Sequence, residues 1–234
     1  RGEHLDRSID EVIAEAQLAE SCGFDSCFFG EHHQDHDGFL PSPLIVATAV
    51  AARTTRLKVG TSVILLPLHH PVMVAEYVST LDNLCGGKVL FGVGQGYRDS
   101  EFISFGIAKS ERRGRTVEGL EVIRRLWSGD KVTFHGKYFH LDGVTCAPRP
   151  LQRPAPPILM GADLIKTVAR VPEVADHWIA SRRHTKNFLR EALPAYKAAL
   201  DRQGKPFRGL FIFRDLCIAD SSRQAEERIR EGYE

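Results

Sequence analysis

The chain has 234 residues, 43% hydrophobic and 26% charged, with a formal net charge of +1. That balance gives no electrostatic footprint for nucleic acid or an acidic membrane surface, and no apolar run approaches the ~20 residues of a membrane span. The five cysteines follow no metal or disulfide spacing, which suits a reducing, cytoplasmic setting, and Arg1-Gly2-Glu3-His4 has no signal-peptide pattern.

Taken in chain order, Ser8 and Glu11 form a capping box ahead of Ile9, Val12, Ile13, Ala16 and Ala19, which recur at helical spacing until Gly23. Phe24 to Phe29 predicts a strand. Pro43 opens a second helix that Thr54-Thr55 closes, and Leu57 to Leu65 is rich in strand formers. Pro71 starts a third helix ending at Gly86-Gly87. Lys88 to Val93 is a strand, and a charged helix runs from about Glu111 to Trp127. Residues 128–157, rich in Gly, Pro and aromatics, form a long excursion with a small hairpin around Gly136. Alternation resumes with strands at Ile158–Met160, Trp178–Ala180 and Leu210–Ala219. Helices fill Lys166–Val174, Asn187–Leu200 and Ser222–Glu231.

Such alternation implies an α/β domain of parallel strands covered by helices, spanning residues 1–234 without a linker. The first element is a helix, so the sheet is open, or a barrel lacks its first and last strands. Residues 44–52 are apolar all round, and a helix without a polar face must be covered on both sides, by a lid or by a second subunit.

Reactions in parallel barrels occur at the carboxyl ends of strands. There the sequence delivers Glu31, His32 and His33, then Thr61-Ser62 and His69-His70, then Gly94-Gln95-Gly96-Tyr97, then Gly161-Ala162-Asp163. His32, His33, His36, Asp35 and Asp37 resemble metal ligands. Adjacent strand residues point to opposite sides, however, and only Asp176 and His177 follow later, so no metal is predicted. Gly92-x-Gly94-x-Gly96 is not a dinucleotide fingerprint. Glycine there admits a flat ligand or phosphate to the backbone, or allows close packing; both readings stand. Asp163 fits a helix N-cap as well as it fits a ligand loop.

Several stretches resemble the luciferase-like flavin monooxygenases. They are Gly30-Glu31-His32-His33, the run Lys58 to Pro71, Leu81 to Lys88, and Gly92 to Tyr97 with Glu101-Phe102 and Gly106. Further along come Phe134 to Lys137, Pro148-Arg149-Pro150, Pro156 to Ile158 and Ala175 to Trp178. The resemblance implies a TIM (β/α)8 barrel lacking its first strand and its last strand and helix. It implies reduced FMN, supplied by a separate reductase, and monooxygenation of a small organic substrate with dioxygen. His32 maps to the histidine that faces flavin and substrate. Thr61–Ser62 maps to a non-prolyl cis peptide beneath the ring. Glu31, Thr61, Ser62 and Gly94 to Tyr97 map to the cofactor's surroundings, with its phosphate near Gln95 and Gly161, Ala162 and Asp163. The bacterial luciferase α chain has a basic residue where Gln95 stands. His33, His69 and Phe105 are expected in the substrate pocket. The resemblance also implies a homodimer through the helices at 43–54 and 71–84. A deazaflavin-dependent hydride-transfer enzyme is the alternative; a non-catalytic flavin-binding barrel and a metal-dependent hydrolase rank behind it.

Overall fold

The computed structural model describes residues 5–34 and 41–233. The candidate ligands Asp35, His36 and Asp37 lie outside the described residues.

Helix α1 (Leu5–Ser21) is already formed at Leu5, so Ser8 is an interior position and not an N-cap. Gly23, at φ +90°, ends it, a backbone state open to glycine at little cost. Strand β1 (Ser26–Phe29) follows, then α2 (Pro43–Ala51) with proline in its first turn. The predicted Leu57–Leu65 strand is interrupted. It divides into β2 (Lys58–Thr61) and β3 (Ile64–Leu65), with a cis peptide between Ser62 and Val63. The expected cis bond is therefore one residue later than Thr61–Ser62.

Next come α3 (Pro71–Leu84), β4 (Val89–Gly94), a short α4 (Asp99–Ser104) absent from the sequence reading, and α5 (Arg112–Ser128). The excursion carries an antiparallel hairpin of β5 (Val132–His135) and β6 (His140–Val144), as expected around Gly136. After it stands β7 (Ile158–Gly161), and the predicted Lys166–Val174 helix divides into α6 (Ile165–Val168) and α7 (Val171–Val174), with Pro172 in the first turn of α7. Strand β8 (His177–Ala180), α8 (Lys186–Arg202), β9 (Phe211–Ile212) and α9 (Ser222–Tyr233) complete the order. The expected Leu210–Ala219 strand shrinks to two residues. Strand β9 is the last in the sheet and finds partners only at Ile179 and Ala180.

The sheet order is β1-β2-β4-β7-β8-β9, with β3 beside β4, and every pairing is parallel. This is a partial TIM barrel. Its core joins Phe91 on β4, Ile158 on β7 and Trp178 on β8 to Leu120, Ile123 and Trp127 on α5. All are at most 3% exposed; burying a side chain of this size stabilises the fold by about 1.5–3 kcal/mol. Helix α2 turns Val46, Ala47, Val50 and Ala51 inward and leaves Ile45 exposed.

Two polar anchors fix the frame. Asp82, wholly buried on α3, accepts hydrogen bonds from the Leu151 and Gln152 backbone N–H groups at 2.8 and 3.0 Å, pinning the end of the excursion. Asp176 accepts from the Ile158 N–H at 2.8 Å and from Arg124 at 3.1 Å, a structural position for a residue first considered as a late metal candidate. Among the described residues no helix is long and apolar enough to cross a membrane.

Candidate active site

The carboxyl ends of β1, β3, β4, β7 and β8 open into one cleft of about 1060 Å³. Glu31, His32, Ser62, Gly94, Gln95, Gly96, Tyr97, Gly161, Ala162 and Asp163 line it. Thr61, His33, His69 and Phe105 are not among its lining residues.

The Thr61 hydroxyl points into the sheet. It donates to the Gly92 carbonyl at 2.6 Å and accepts from the Gly92 N–H at 3.0 Å, joining β2 to β4. Thr61 was expected among the cofactor's surroundings; its hydroxyl is committed to the sheet. His33 and His69, expected in the substrate pocket, donate from their Nε2 atoms to Glu31 Oε1 at 2.9 and 2.7 Å. Phe105 packs on the His33 ring, with the ring centroids 4.6 Å apart.

Glu31 is the hub of this cluster. Its side chain is wholly buried, and its Oε2 accepts from the Leu65 N–H. Burial alone would raise the carboxyl. The bond and charge of His69, the Leu65 N–H and His33 outweigh burial and hold the carboxyl below its ordinary value. Glu31 therefore ties the chain after β1 to β3 and to the loop before α3. Its ligand atom and those of His33 and His69 lie within 4.8 Å of one another, close enough to suggest a metal. The imidazole–carboxylate contacts also have the length of ordinary hydrogen bonds.

His32 has a separate partner. Its Nδ1 lies 2.9 Å from Glu101 Oε1, which also accepts from the His33 N–H at 3.1 Å. Glu101 stands on α4, and its side chain is wholly buried. A carboxylate can only accept, so it fixes the His32 tautomer with the proton on Nδ1. The Tyr97 ring meets His32 edge-on at 5.7 Å.

The glycines of β4 are explained by packing. A Cβ on Gly92 would collide with the Thr61 carbonyl, and one on Gly94 with the Val63 side chain. At the end of β7, the buried Trp178 donates from Nε1 to the Ala162 carbonyl at 3.0 Å, which fixes that strand end. Asp163 is not a helix cap: α6 begins at Ile165 with Leu164 in the capping position. The Asp163 carboxylate lies 3.1 Å from Nε2 of His184. Burial, the largest influence, pushes the His184 imidazole down; Asp163 opposes this and Arg214 adds to it.

Cations dominate the far wall. Arg112 and Arg113 come from the start of α5, and Arg170 from the turn between α6 and α7. Arg183 follows β8 and lies 5.8 Å from the Tyr97 ring centroid. Among the described residues none of these four has a carboxylate within ion-pair distance. Arg182, by contrast, pairs with Asp215 at 3.2 Å.

The family model for luciferase-like monooxygenases matches residues 1–234. The chain belongs to that family. This luciferase-like chain is 33% identical over 223 residues to an F420-dependent glucose-6-phosphate dehydrogenase of Nakamurella multipartita, covering 92% of this chain and 65% of the relative. It is 35% identical over 162 residues to 4-hydroxyprotoasukamycin monooxygenase of Streptomyces nodosus subsp. asukaensis, covering 69% and 44%. The crystal structure of the monooxygenase RslO1 from Streptomyces bottropensis superposes with a TM-score of 0.89 at 26% identity, covering 96% of this chain and 70% of that one. The chain thus spans less than two thirds of the two curated relatives' length. Family members include both monooxygenases and F420-dependent oxidoreductases.

Sequence reasoning about this luciferase-like chain missed the role of Glu101 and the wall of Arg112, Arg113 and Arg170. Glu101 sits in a helix too short to show periodicity. Arg112 and Arg113 look like ordinary surface charge at the head of a charged helix, and only the fold turns them toward the strand ends.

Proposed function

We propose that the chain is the oxygenating barrel of a flavin-dependent monooxygenase that uses reduced FMN and dioxygen on a small organic substrate. The observation that carries it is the His32–Glu101 pair at the strand ends, in a cleft with room for a flat cofactor and a substrate. A reduced flavin bound there supplies the electrons that activate dioxygen. Ser62 and the segment Gly94 to Tyr97 would flank its ring, with Gly161, Ala162 and Asp163 further along the cleft. Gln95 is neutral and Asp163 is acidic, so neither side chain suits a phosphate. Arg113 and Arg170 on the facing wall do, and the start of α5 adds its helix dipole.

Glu101 holds His32 by Nδ1, which leaves proton transfer to Nε2 across the ring. Val63, Leu65, Met160 and Ile179 give the cleft apolar walls that limit water near the reacting atoms. Glu31, at the edge of the cleft, supports the strand end through its buried hydrogen bonds.

The reading includes a separate flavin reductase, a cytoplasmic setting, and one barrel domain with an excursion at 128–157. It also includes a homodimer. Ile45 on α2 and Met73, Tyr77 and Leu84 on α3 are each about half exposed or more, an apolar face suited to a second copy. Sedimentation of the wild type against Ile45→Asp tests that part.

A second reading has its own support. Arg112, Arg113, Arg170 and Arg183, with no carboxylate in ion-pair distance among the described residues, suit the longer acidic tail of the deazaflavin coenzyme F420, and a relative bears that dependence in its name. Absorbance titration with FMN and F420 decides between them. Tight FMN binding with oxygen-dependent substrate turnover supports the monooxygenase. Binding of F420 alone, without oxygen reactivity, replaces it with hydride transfer, and flavin binding without any turnover leaves a non-catalytic barrel.

A further inference from the structure

We propose that the β5–β6 hairpin carries a surface site for a divalent transition-metal ion, formed by His135 and His140. The two residues stand directly opposite each other in the antiparallel register, where facing Cβ atoms are about 4.5–5.5 Å apart. Their ring centroids are 6.3 Å apart, with the planes inclined at 50°. Both residues are exposed. Neither imidazole has a hydrogen bond or ion pair to another described residue. Two imidazoles on facing positions, with no such partner among the described residues, can act together as a chelating pair.

The geometry is close to what a metal needs. With metal–nitrogen bonds of about 2.0–2.1 Å, each ring centroid lies roughly 3.2 Å from the ion, so two rings at a tetrahedral angle are roughly 5.2 Å apart. The observed 6.3 Å is about 1 Å longer, a difference within the reach of side-chain rotation.

The backbone beneath is held independently. Phe134, Phe139 and Leu141 are buried on the opposite side of the ribbon. Glu118 of α5 accepts from the Lys137 and Tyr138 N–H groups at 2.9 and 2.8 Å, and Gly136 donates to Phe139 at 3.0 Å across the turn. The two ligands are thus presented from a fixed frame, which lowers the ordering cost of binding. Asp142, exposed two residues further along β6, lies on the same face as His140 and adds favourable charge. Imidazole ligands select Cu2+, Ni2+ or Zn2+ over Mg2+ and Ca2+.

The site does not depend on flavin chemistry, so its test does not either. The untagged, EDTA-stripped chain is titrated with Ni2+ by calorimetry, beside His135→Asn, His140→Asn and, as a competitor elsewhere in the fold, His69→Asn. The expected result is one Ni2+ per chain, weakened at least about tenfold in each hairpin variant, with far-ultraviolet dichroism unchanged. A Cu2+ spectrum showing coupling to two imidazole nitrogens in the wild type, and to fewer in His135→Asn and His140→Asn, gives the same answer by a second readout. Wild-type binding no tighter than that of the two hairpin variants, or Ni2+ binding lost only in His69→Asn, overturns the site.

Discussion

His32 Nδ1 and Glu101 Oε1 are 2.9 Å apart, although the residues are 69 positions apart in the chain. That bond couples the loop after β1 to the helix after β4 and sets which nitrogen of His32 can move a proton. Glu101→Gln preserves shape but replaces an obligate acceptor with a group that can also donate, so the tautomer is no longer fixed. Turnover should fall about tenfold to a hundredfold, and His32→Ala should cost at least about a hundredfold. The double variant should be no worse than His32→Ala alone, because the pair acts as a unit. Steady-state turnover with reduced FMN measures this, and FMN affinity should stay close to wild type in all three. Additive losses in the double variant would show two independent roles.

Glu31 predicts an acid-sensitive fold. Its carboxyl is held below the ordinary 4.5. The unfolded chain therefore binds this proton more readily than the folded one, and stability rises with pH through that region. The contribution is complete above about 4.5 and is lost as pH falls through the lower folded value. Glu31→Gln should cost about 1–3 kcal/mol at neutral pH and flatten the acid limb of the stability profile. Urea unfolding between pH 3 and pH 7, roughly the range over which carboxylates titrate, measures both. A variant with the wild-type acid limb would remove Glu31 from that role.

The strands that build this site were legible because their apolar runs are bounded by Gly, Pro and polar residues. Phe24–Phe29 and Lys88–Val93 fall within a residue or two of β1 and β4. The β2–β3 interruption was not legible, because Ser62 and Val63 continue a β-rich composition and only the backbone between them departs from it. His32 was legible through its place after a strand. Its partner was not, since nothing local marks Glu101 as buried and the contact closes across two loops. The task of the Thr61 hydroxyl was not legible either, since the Gly92 it satisfies lies on the neighbouring strand.

If Arg113 and Arg170 hold a phosphate, the loss on mutation should depend on the phosphate and not on the ring. Arg113→Gln and Arg170→Gln should each weaken FMN binding by about tenfold to a hundredfold, the range of one or two charge-assisted hydrogen bonds. Riboflavin, which lacks the phosphate, should bind all three proteins alike. FMN binding to the wild type should weaken with added salt more steeply than to either variant. Fluorescence quenching titrations with both ligands measure the difference. Equal losses for riboflavin and FMN would move the phosphate elsewhere in the cleft.

Gly94 allows a test of why the strand end lacks side chains. An added Cβ would collide with Val63 Cγ2 while lying 3.4 Å from Val63 Cβ. Gly94→Ala should therefore be destabilising by about 1–3 kcal/mol, as overpacking usually is. Val63→Ala removes both Cγ atoms and leaves an ordinary contact in their place. In the double variant the overpacking disappears, so its loss should be smaller than the sum of the two single losses, a coupling that thermal or urea unfolding reads directly. Flavin affinity distinguishes the two reasons for a glycine. If packing alone demands it, the double variant binds FMN as Val63→Ala does. If the ring needs the bare backbone, affinity stays low after stability has been restored, because the new methyl group then stands where the cofactor must approach.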